Sequence, residues 1–166
     1  MPLTPRPAAD RIEASVQIRR PPAEVFAFYR DLRNLPRFLG DVTAVAQLGA
    51  RMYRWTIQGP FGVRAAWLIR LTEERRDALI RYETVGLPGL KTVWEIRFSP
   101  GAEPGCAEVH ETMSLPLGRL GRAGLALIGK SPRAEVSANL RRLKQLLETG
   151  RVTDLSFAAP GKFSRA

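Results

Sequence analysis

The sequence has 166 residues, of which 45% are apolar, so it suits one globular domain with a core that needs neither metals nor cross-links. Its single cysteine excludes an internal disulfide, and no apolar stretch approaches the roughly 20 residues of a membrane-spanning helix. Residues 1–10 lack the apolar core of a secretion signal, so we expect a cytoplasmic bacterial protein. The net charge of +10 raises the question of an anionic partner.

The N-terminal segment predicts a strand followed by two short helices. Residues 11–19 alternate between apolar and polar side chains, which is typical of a half-buried strand. Pro21-Pro22 ends this strand and begins a helix, because the N–H that proline lacks is unpaired at a helix start anyway. A second short helix is predicted around Leu35 to Leu39, and residues 1–10 are predicted to be a flexible tail.

Six further strand-like runs follow, separated by turns that are mostly rich in Gly, Pro or Asp. They lie at residues 42–48, 52–58, 64–73, 78–85, 91–98 and 106–115. One phase of their alternation collects large apolar side chains, and all three tryptophans belong to that phase. The pattern predicts an antiparallel meander whose concave face carries Trp55, Trp67 and Trp94.

One long helix is predicted near the C-terminus, from about Pro132 to Thr149. Its apolar stripe consists of Val136, Leu140, Leu143 and Leu147. Gly150 is a natural helix stop, and residues 151–166 show little periodicity, so they are predicted to be a flexible tail. Residues 11–150 therefore predict one α+β domain in which a curved sheet of about seven strands grips the terminal helix.

Several segments resemble the START-like superfamily, which is also called SRPBCC. The likeness lies in Arg20-Pro-Pro-Ala-Glu-Val-Phe-Ala-Phe-Tyr-Arg-Asp31, Asn34-Leu-Pro-Arg-Phe38, Gly59-Pro-Phe-Gly62, Pro116-Leu-Gly-Arg-Leu-Gly121 and Leu140-Arg-Arg-Leu-Lys-Gln-Leu-Leu-Glu-Thr-Gly150. Within the superfamily the chain is most similar to the polyketide cyclase/dehydrase and coenzyme Q-binding branch. The resemblance covers about residues 10–150 and implies the helix-grip fold with a deep cavity for a lipid, an isoprenoid quinone or a polyketide-like aromatic. It carries over no catalytic residue.

Glu111 is the main candidate for chemistry, because it places a carboxyl in the inward apolar row of the last strand. Desolvation in an apolar hollow would raise its pKa, which suits a general acid or base or a polar anchor for a ligand. The structural alternatives are a salt bridge to an inward arginine and a bulge that turns Glu111 to solvent.

Bulky inward side chains are the candidates for a ligand-binding lining, since aromatic walls suit flat apolar ligands. The predicted set is Phe28, Trp55, Trp67, Tyr82, Trp94, Glu111, Met113, Leu140 and Leu143. Ordinary core packing is the alternative for each of them. An opening is predicted near residues 117–128, where glycines and apolar residues alternate with basic ones.

Basic residues are concentrated in residues 118–149, which carry seven Lys and Arg against two Glu. Arg119, Arg122 and Lys130 are candidates for contact with an anionic membrane or another acidic partner, and a solvated helix face is the alternative. Nucleic acid is not expected, because inward tryptophans cannot offer a stacking platform to bases. The chain is expected to be a monomer or a dimer.

No cofactor or metal is predicted, since His110 is the only histidine and the glycine-rich turns lack phosphate-loop spacing. The function predicted from these observations is binding or transport of a hydrophobic small molecule in an internal cavity. The alternative is a cyclase or dehydratase acting on a polyketide-like substrate with Glu111 as acid or base. A third interpretation is an interaction module whose cavity is filled by its own side chains.

Overall fold

The computed structural model describes residues 11–86, 90–116 and 131–163. Seven antiparallel strands form one sheet: β1 (Arg11–Ile18), β2 (Val42–Gln47), β3 (Met52–Gln58), β4 (Arg64–Arg75), β5 (Leu79–Val85), β6 (Val93–Pro100) and β7 (Ala107–Ser114). Along the sheet the order is β1-β7-β6-β5-β4-β3-β2, so every sequential pair from β2 to β7 is adjacent and β1 closes against β7. The predicted seven-stranded meander is confirmed.

The described helices are α1 (Pro22–Arg30), a 3-10 helix (Leu32–Arg37), a short 3-10 turn (Pro60–Gly62) and α2 (Pro132–Thr149). The helix predicted around Leu35 to Leu39 begins earlier and is a 3-10 helix. Asp31 caps this helix by accepting a hydrogen bond from the Arg33 N–H. Pro36 lies inside the helix and has no backbone N–H with which to make an α-helical hydrogen bond. None of these helices is long and apolar enough to cross a membrane.

Helix α2 packs over the concave face of the sheet, as the predicted grip requires. Val136, Leu140 and Leu143 are all buried in the core. The helix ends where the sequence predicts, because Gly150 adopts φ 75° and donates its N–H to the Leu146 carbonyl at 2.8 Å. Only glycine reaches that left-handed conformation without steric cost.

Arg142 lies on the same helix but is completely buried, at 0% exposure, which differs from the outward position expected for a basic residue. Its guanidinium donates to the carbonyls of Phe38, Asp154 and Ser156 and to the side-chain oxygen of Asn139, at distances of 2.6 to 3.2 Å. A buried charge is tolerated when it is bonded in this way. The bonds tie the residues after α2 to the segment that follows the 3-10 helix.

The chain after Gly150 continues along the domain surface rather than leaving it. The Ala159 N–H donates to the Gly40 carbonyl at 2.8 Å, and the Lys162 ammonium donates to the carbonyls of Leu39 and Val42. A Cβ at position 40 would lie 2.5 Å from the Phe157 carbonyl, so the close approach requires glycine. Composition alone predicts a loose tail for residues 151–166, and these contacts hold the described part, 151–163, against the domain.

Candidate ligand-binding cavity

Three aromatic rings from three strands form one wall on the concave face, here called the aromatic wall: Trp55, Tyr82 and Trp94. Tyr82 on β5 pairs directly with Trp94 on β6, and the two rings are stacked with centroids 5.3 Å apart. The Trp55 ring on β3 lies 5.3 Å from Tyr82 and 5.7 Å from Trp94. Alternation along the strands places all three side chains on the same face of the sheet.

A cavity of about 150 Å³ lies between the aromatic wall and the N-terminal half of α2. Its described lining comprises Leu39, Asp41, Val42, Trp55, Ile57, Trp67, Tyr82, Thr92, Trp94, Glu111, Met113, Leu115, Pro132, Glu135, Val136 and Asn139. Most of these side chains are apolar or aromatic, as is usual for a small-molecule site. Trp67 lines the cavity while 37% exposed, so it marks a place where the cavity meets solvent.

Glu111 lies in this lining and is only 3% exposed. Burial raises the pKa of its carboxyl to about 8, so the side chain is protonated at neutral pH. The pairing of β7 with β1 and β6 is regular at this position, with Ala14 and Ile96 as its partners. The structure therefore has no bulge there, and no basic side chain among the described residues bonds the carboxyl.

A pair of buried hydroxyl groups lies beside this carboxyl. The Tyr29 hydroxyl on α1 and the Tyr82 hydroxyl on β5 are 3.1 Å apart, within hydrogen-bond distance. Desolvation, followed by the nearby charged form of Glu111, raises the pKa of Tyr82 well above its usual value. For Tyr29, desolvation and the neighbouring Tyr82 raise the pKa in the same direction. Both phenols therefore stay protonated throughout the physiological range.

Six of the nine side chains predicted for the lining are brought together by the fold: Trp55, Trp67, Tyr82, Trp94, Glu111 and Met113. The other three lie elsewhere. Leu140 and Leu143 are packed in the core at and beyond the middle of α2. The Phe28 ring packs 6.2 Å from the Phe38 ring, and the Arg37 guanidinium lies over it.

Polar residues at the margin of the cavity are not among the predicted lining residues. Asp41 follows the 3-10 helix, and Glu135 and Asn139 lie one helical turn apart on α2. Asn139 is fixed there, because its side-chain oxygen accepts the Gly40 N–H at 2.9 Å as well as the Arg142 guanidinium. The spacing of Glu135, Val136 and Asn139 on one helix face was the only available signal.

Other sequence candidates lie outside the cavity. His110 is on the opposite face of β7, with its Nε2 3.8 Å from a Glu13 carboxylate oxygen. Arg119, Arg122 and Lys130, together with the predicted opening at 117–128, lie outside the described residues. Within 11–86, 90–116 and 131–163, no three His, Cys, Asp or Glu side chains are grouped to hold a metal ion.

The sequence matches a known protein family, and the fold matches solved structures. The family model for polyketide cyclase/dehydrase and lipid transport matches residues 9–148. A protein from Deinococcus radiodurans has a TM-score of 0.65 at 22% identity, covering 84% of this chain and 98% of its own. A START superfamily protein from Mycobacterium smegmatis has a TM-score of 0.63 at 12% identity, covering 82% and 98%. At such identities the likeness shows the fold, and no curated protein matches the sequence.

Proposed function

Because the chain belongs to the polyketide cyclase/dehydrase and lipid transport family, we propose that it binds and carries a hydrophobic small molecule in the cavity behind the aromatic wall. The observation that carries this proposal is the apolar cavity between the sheet and α2. Candidate ligands are lipids, isoprenoid quinones and polyketide-like aromatics. Each ligand methylene that leaves water adds about 0.8 kcal/mol, so shape and apolar area dominate the affinity.

The size of the cavity limits how a ligand is held. A volume of about 150 Å³ is below the roughly 300–1,000 Å³ of sites for drug-sized ligands, so one ring or a short chain segment fits inside. A longer ligand has to extend past Trp67, where the lining is partly exposed. The aromatic wall would stack on a flat ring, since offset aromatic pairs gain about 0.5–1.5 kcal/mol beyond burial.

Extraction of the purified protein with organic solvent, followed by mass spectrometry, tests the carrier function. We expect a near-stoichiometric apolar molecule in the wild type and its loss in a Trp55→Ala, Trp94→Ala double variant. A Phe28→Ala variant is the matched control, because that ring packs outside the cavity. Equal amounts of the molecule in the double variant and the control would contradict binding at the aromatic wall.

Acid–base catalysis is the second candidate function, favoured by the protonated, buried Glu111. A carboxyl with a pKa of about 8 can donate a proton to a polyketide-like substrate at neutral pH, as a cyclase or dehydratase requires. Replacing Glu111 with Gln separates the two functions. A carrier keeps most of its affinity, whereas an enzyme loses turnover while its substrate remains bound.

Peripheral contact with an anionic membrane is proposed as the route by which a ligand reaches the cavity. The turn between β3 and β4 supports it, since Phe61 is 97% exposed and stands with exposed Val63 beside Arg64. Apolar tips with adjacent basic residues bind anionic interfaces. Phe61→Asp, and separately Arg119→Glu with Arg122→Glu, should weaken sedimentation with phosphatidylglycerol vesicles. Unchanged sedimentation of both variants would contradict the membrane contact.

A further inference from the structure

Two buried polar atoms in the cavity lining lack a hydrogen-bond partner among the described residues: Trp55 Nε1 and Glu111 Oε2. Both side chains are almost completely buried, and both lie on the concave face of the sheet. Buried polar atoms are nearly always paired in folded proteins, because an unpaired one loses its bond to water without compensation. A ligand that supplies a partner to these atoms recovers that loss.

Both of these unpaired groups can donate a hydrogen bond. An indole N–H can only donate. The Glu111 carboxyl is protonated at neutral pH, since burial raises its pKa to about 8, so it too has a proton to donate. The Asn139 oxygen already accepts two bonds, which leaves that amide its N–H groups. The buried wall of the cavity therefore offers hydrogen-bond donors, and an acceptor atom on a ligand would pair with them.

The charged side chains of the lining indicate which kind of acceptor the cavity can bind. Its described titratable side chains are acidic or phenolic: Asp41 and Glu135, both half-buried, together with Glu111 and Tyr82. The described lining contains no lysine or arginine. An anionic ligand would be buried without a counter-charge among the described residues, which is costly. A cation could be attracted to Asp41 and Glu135 at the margin, but it would bring no acceptor to the donor groups of Trp55 and Glu111. An uncharged ligand with an acceptor atom needs no counter-charge and still pairs with the donor groups.

We propose that the cavity selects an uncharged apolar ligand with a carbonyl oxygen, which accepts hydrogen bonds from the Trp55 indole N–H and the Glu111 carboxyl. The proposal rests on the proposed carrier function and names the chemical class of its ligand. Tyr82 and Trp94 then pack against the apolar body of the same ligand. A fatty-acid anion would find no counter-charge among the described lining residues, and an amine would supply no acceptor to Trp55 and Glu111.

Four planar phenyl compounds of similar shape test the proposal on the intact protein. Acetophenone carries the carbonyl, α-methylstyrene replaces its oxygen with a methylene, benzoate is anionic and benzamidine is cationic. Calorimetric titration at pH 7 should show acetophenone binding about 10- to 100-fold tighter than α-methylstyrene, the equivalent of two net hydrogen bonds. Benzoate and benzamidine should bind more weakly than acetophenone.

Variants of the two donors identify the groups responsible. Glu111→Leu and Trp55→Phe should each reduce the preference for acetophenone over α-methylstyrene, while Trp94→Phe is the matched control in the same wall and should keep it. Glu111→Gln retains a donor and should also keep it. If Glu111→Leu fails to fold, the comparison of wild type with Glu111→Gln across pH gives the same information.

The pH dependence provides a readout that packing alone would not change. Between pH 6.5 and 9 the preference of the wild type for acetophenone should fall, because the ionised Glu111 no longer donates, whereas Glu111→Gln should show no change. The groups that face Glu111 are Tyr82 and Tyr29, which stay protonated in this range because burial raises their pKa values. Asp41 and Glu135 also line the cavity. Both residues are present in the wild type and in Glu111→Gln, so they cannot cause a difference between the two proteins.

The possible outcomes test the proposed ligand class and the proposed carrier function separately. Equal affinities for acetophenone and α-methylstyrene, or tighter binding of benzoate or benzamidine, would overturn the carbonyl proposal and leave the carrier function standing. Failure of all four compounds to bind would overturn both. A preference for acetophenone that is reduced in Trp55→Phe and by ionisation of Glu111 supports the proposal.

Discussion

The two halves of α2 lie against different surroundings, although one apolar stripe runs along both. In the N-terminal half, Pro132, Val136 and Asn139 border the cavity. Just beyond them, Leu140 at mid-helix and Leu143 in the C-terminal half are fully enclosed in the core. The apolar spacing is the same in each half, so the helix sequence alone does not account for the difference.

The buried polar groups of these two regions also differ in how completely they are hydrogen-bonded. At the closed end, Arg142 gives its guanidinium N–H groups to four acceptors. At the cavity, Glu111 and Trp55 each keep one polar atom without a partner in the described chain. Full pairing suits a region that holds the fold together, and unpaired donors suit a region that receives a ligand. The following predictions test this contrast.

The largest effect is expected from truncation at the closed end. Leu143→Ala should lower the free energy of unfolding by about 4 kcal/mol, because an enclosed leucine leaves a cavity behind. Val136→Ala at the cavity should cost about 1.5 kcal/mol, since its neighbours already border free space. Urea unfolding measures both values. Equal losses for the two variants would contradict the division of α2.

Removing the buried charge should have the next largest effect. Arg142→Met leaves the Phe38, Asp154 and Ser156 carbonyls and the Asn139 side chain without their donor, and should cost about 3 kcal/mol. Trypsin should then cleave faster after Arg151, as residues 151–163 lose their attachment. Arg141→Gln is the control, because Arg141 is an exposed partner of Asp154 and should cost less than about 1 kcal/mol. Protection from trypsin that is unchanged in Arg142→Met would argue against this attachment.

Ionisation of Glu111 should make stability fall as pH rises. The unfolded chain releases this proton near the ordinary glutamate pKa of 4.5, whereas the folded chain holds it up to about 8. Between those values the folded state binds more protons, so raising the pH favours unfolding by about 1.4 kcal/mol per unit, or about 2 kcal/mol from pH 6 to 7.5. This contribution should vanish in Glu111→Gln. Parallel stability curves for the two proteins would contradict the burial of an unpaired carboxyl.

The smallest effect is expected at the exposed edge of the cavity. Trp67→Ala should cost about 1 kcal/mol in stability, because the side chain is already partly in water. It should at the same time speed release of a bound probe, since the ring borders the place where the cavity meets solvent. Stopped-flow fluorescence of an environment-sensitive apolar dye measures the release rate, with Trp67→Phe as control. A stability loss as large as that of an enclosed aromatic would place Trp67 in the core.

Much of the fold follows from short-range pattern. The seven strands lie within a few residues of their predicted positions, because alternation and turn residues are local signals. The ends of α2 are marked by Pro132 and Gly150, whose backbone restrictions act within one turn. The inward position of Glu111 follows from the same alternation along β7.

Other features of the site depend on contacts between distant segments. Phe28, Leu140 and Leu143 have the same apolar character as the lining residues, but tertiary packing places Phe28 against Phe38 and the two leucines in the core. Asn139 and Asp41 join the lining because Arg142 and Gly40 bring α2 against the segment after the 3-10 helix. No periodicity in either segment indicates that contact.

By itself, then, the sequence determined the strands, the gripping helix and the face on which the aromatic rings and one carboxyl lie, because these depend on neighbours a few residues away. The tertiary structure alone decided which inward residues enclose free space, which polar atoms stay unpaired, and that Arg142 is buried with the chain that follows it. Those properties depend on contacts between segments that lie as much as 104 residues apart in sequence, such as Arg142 with Phe38, which local pattern does not encode.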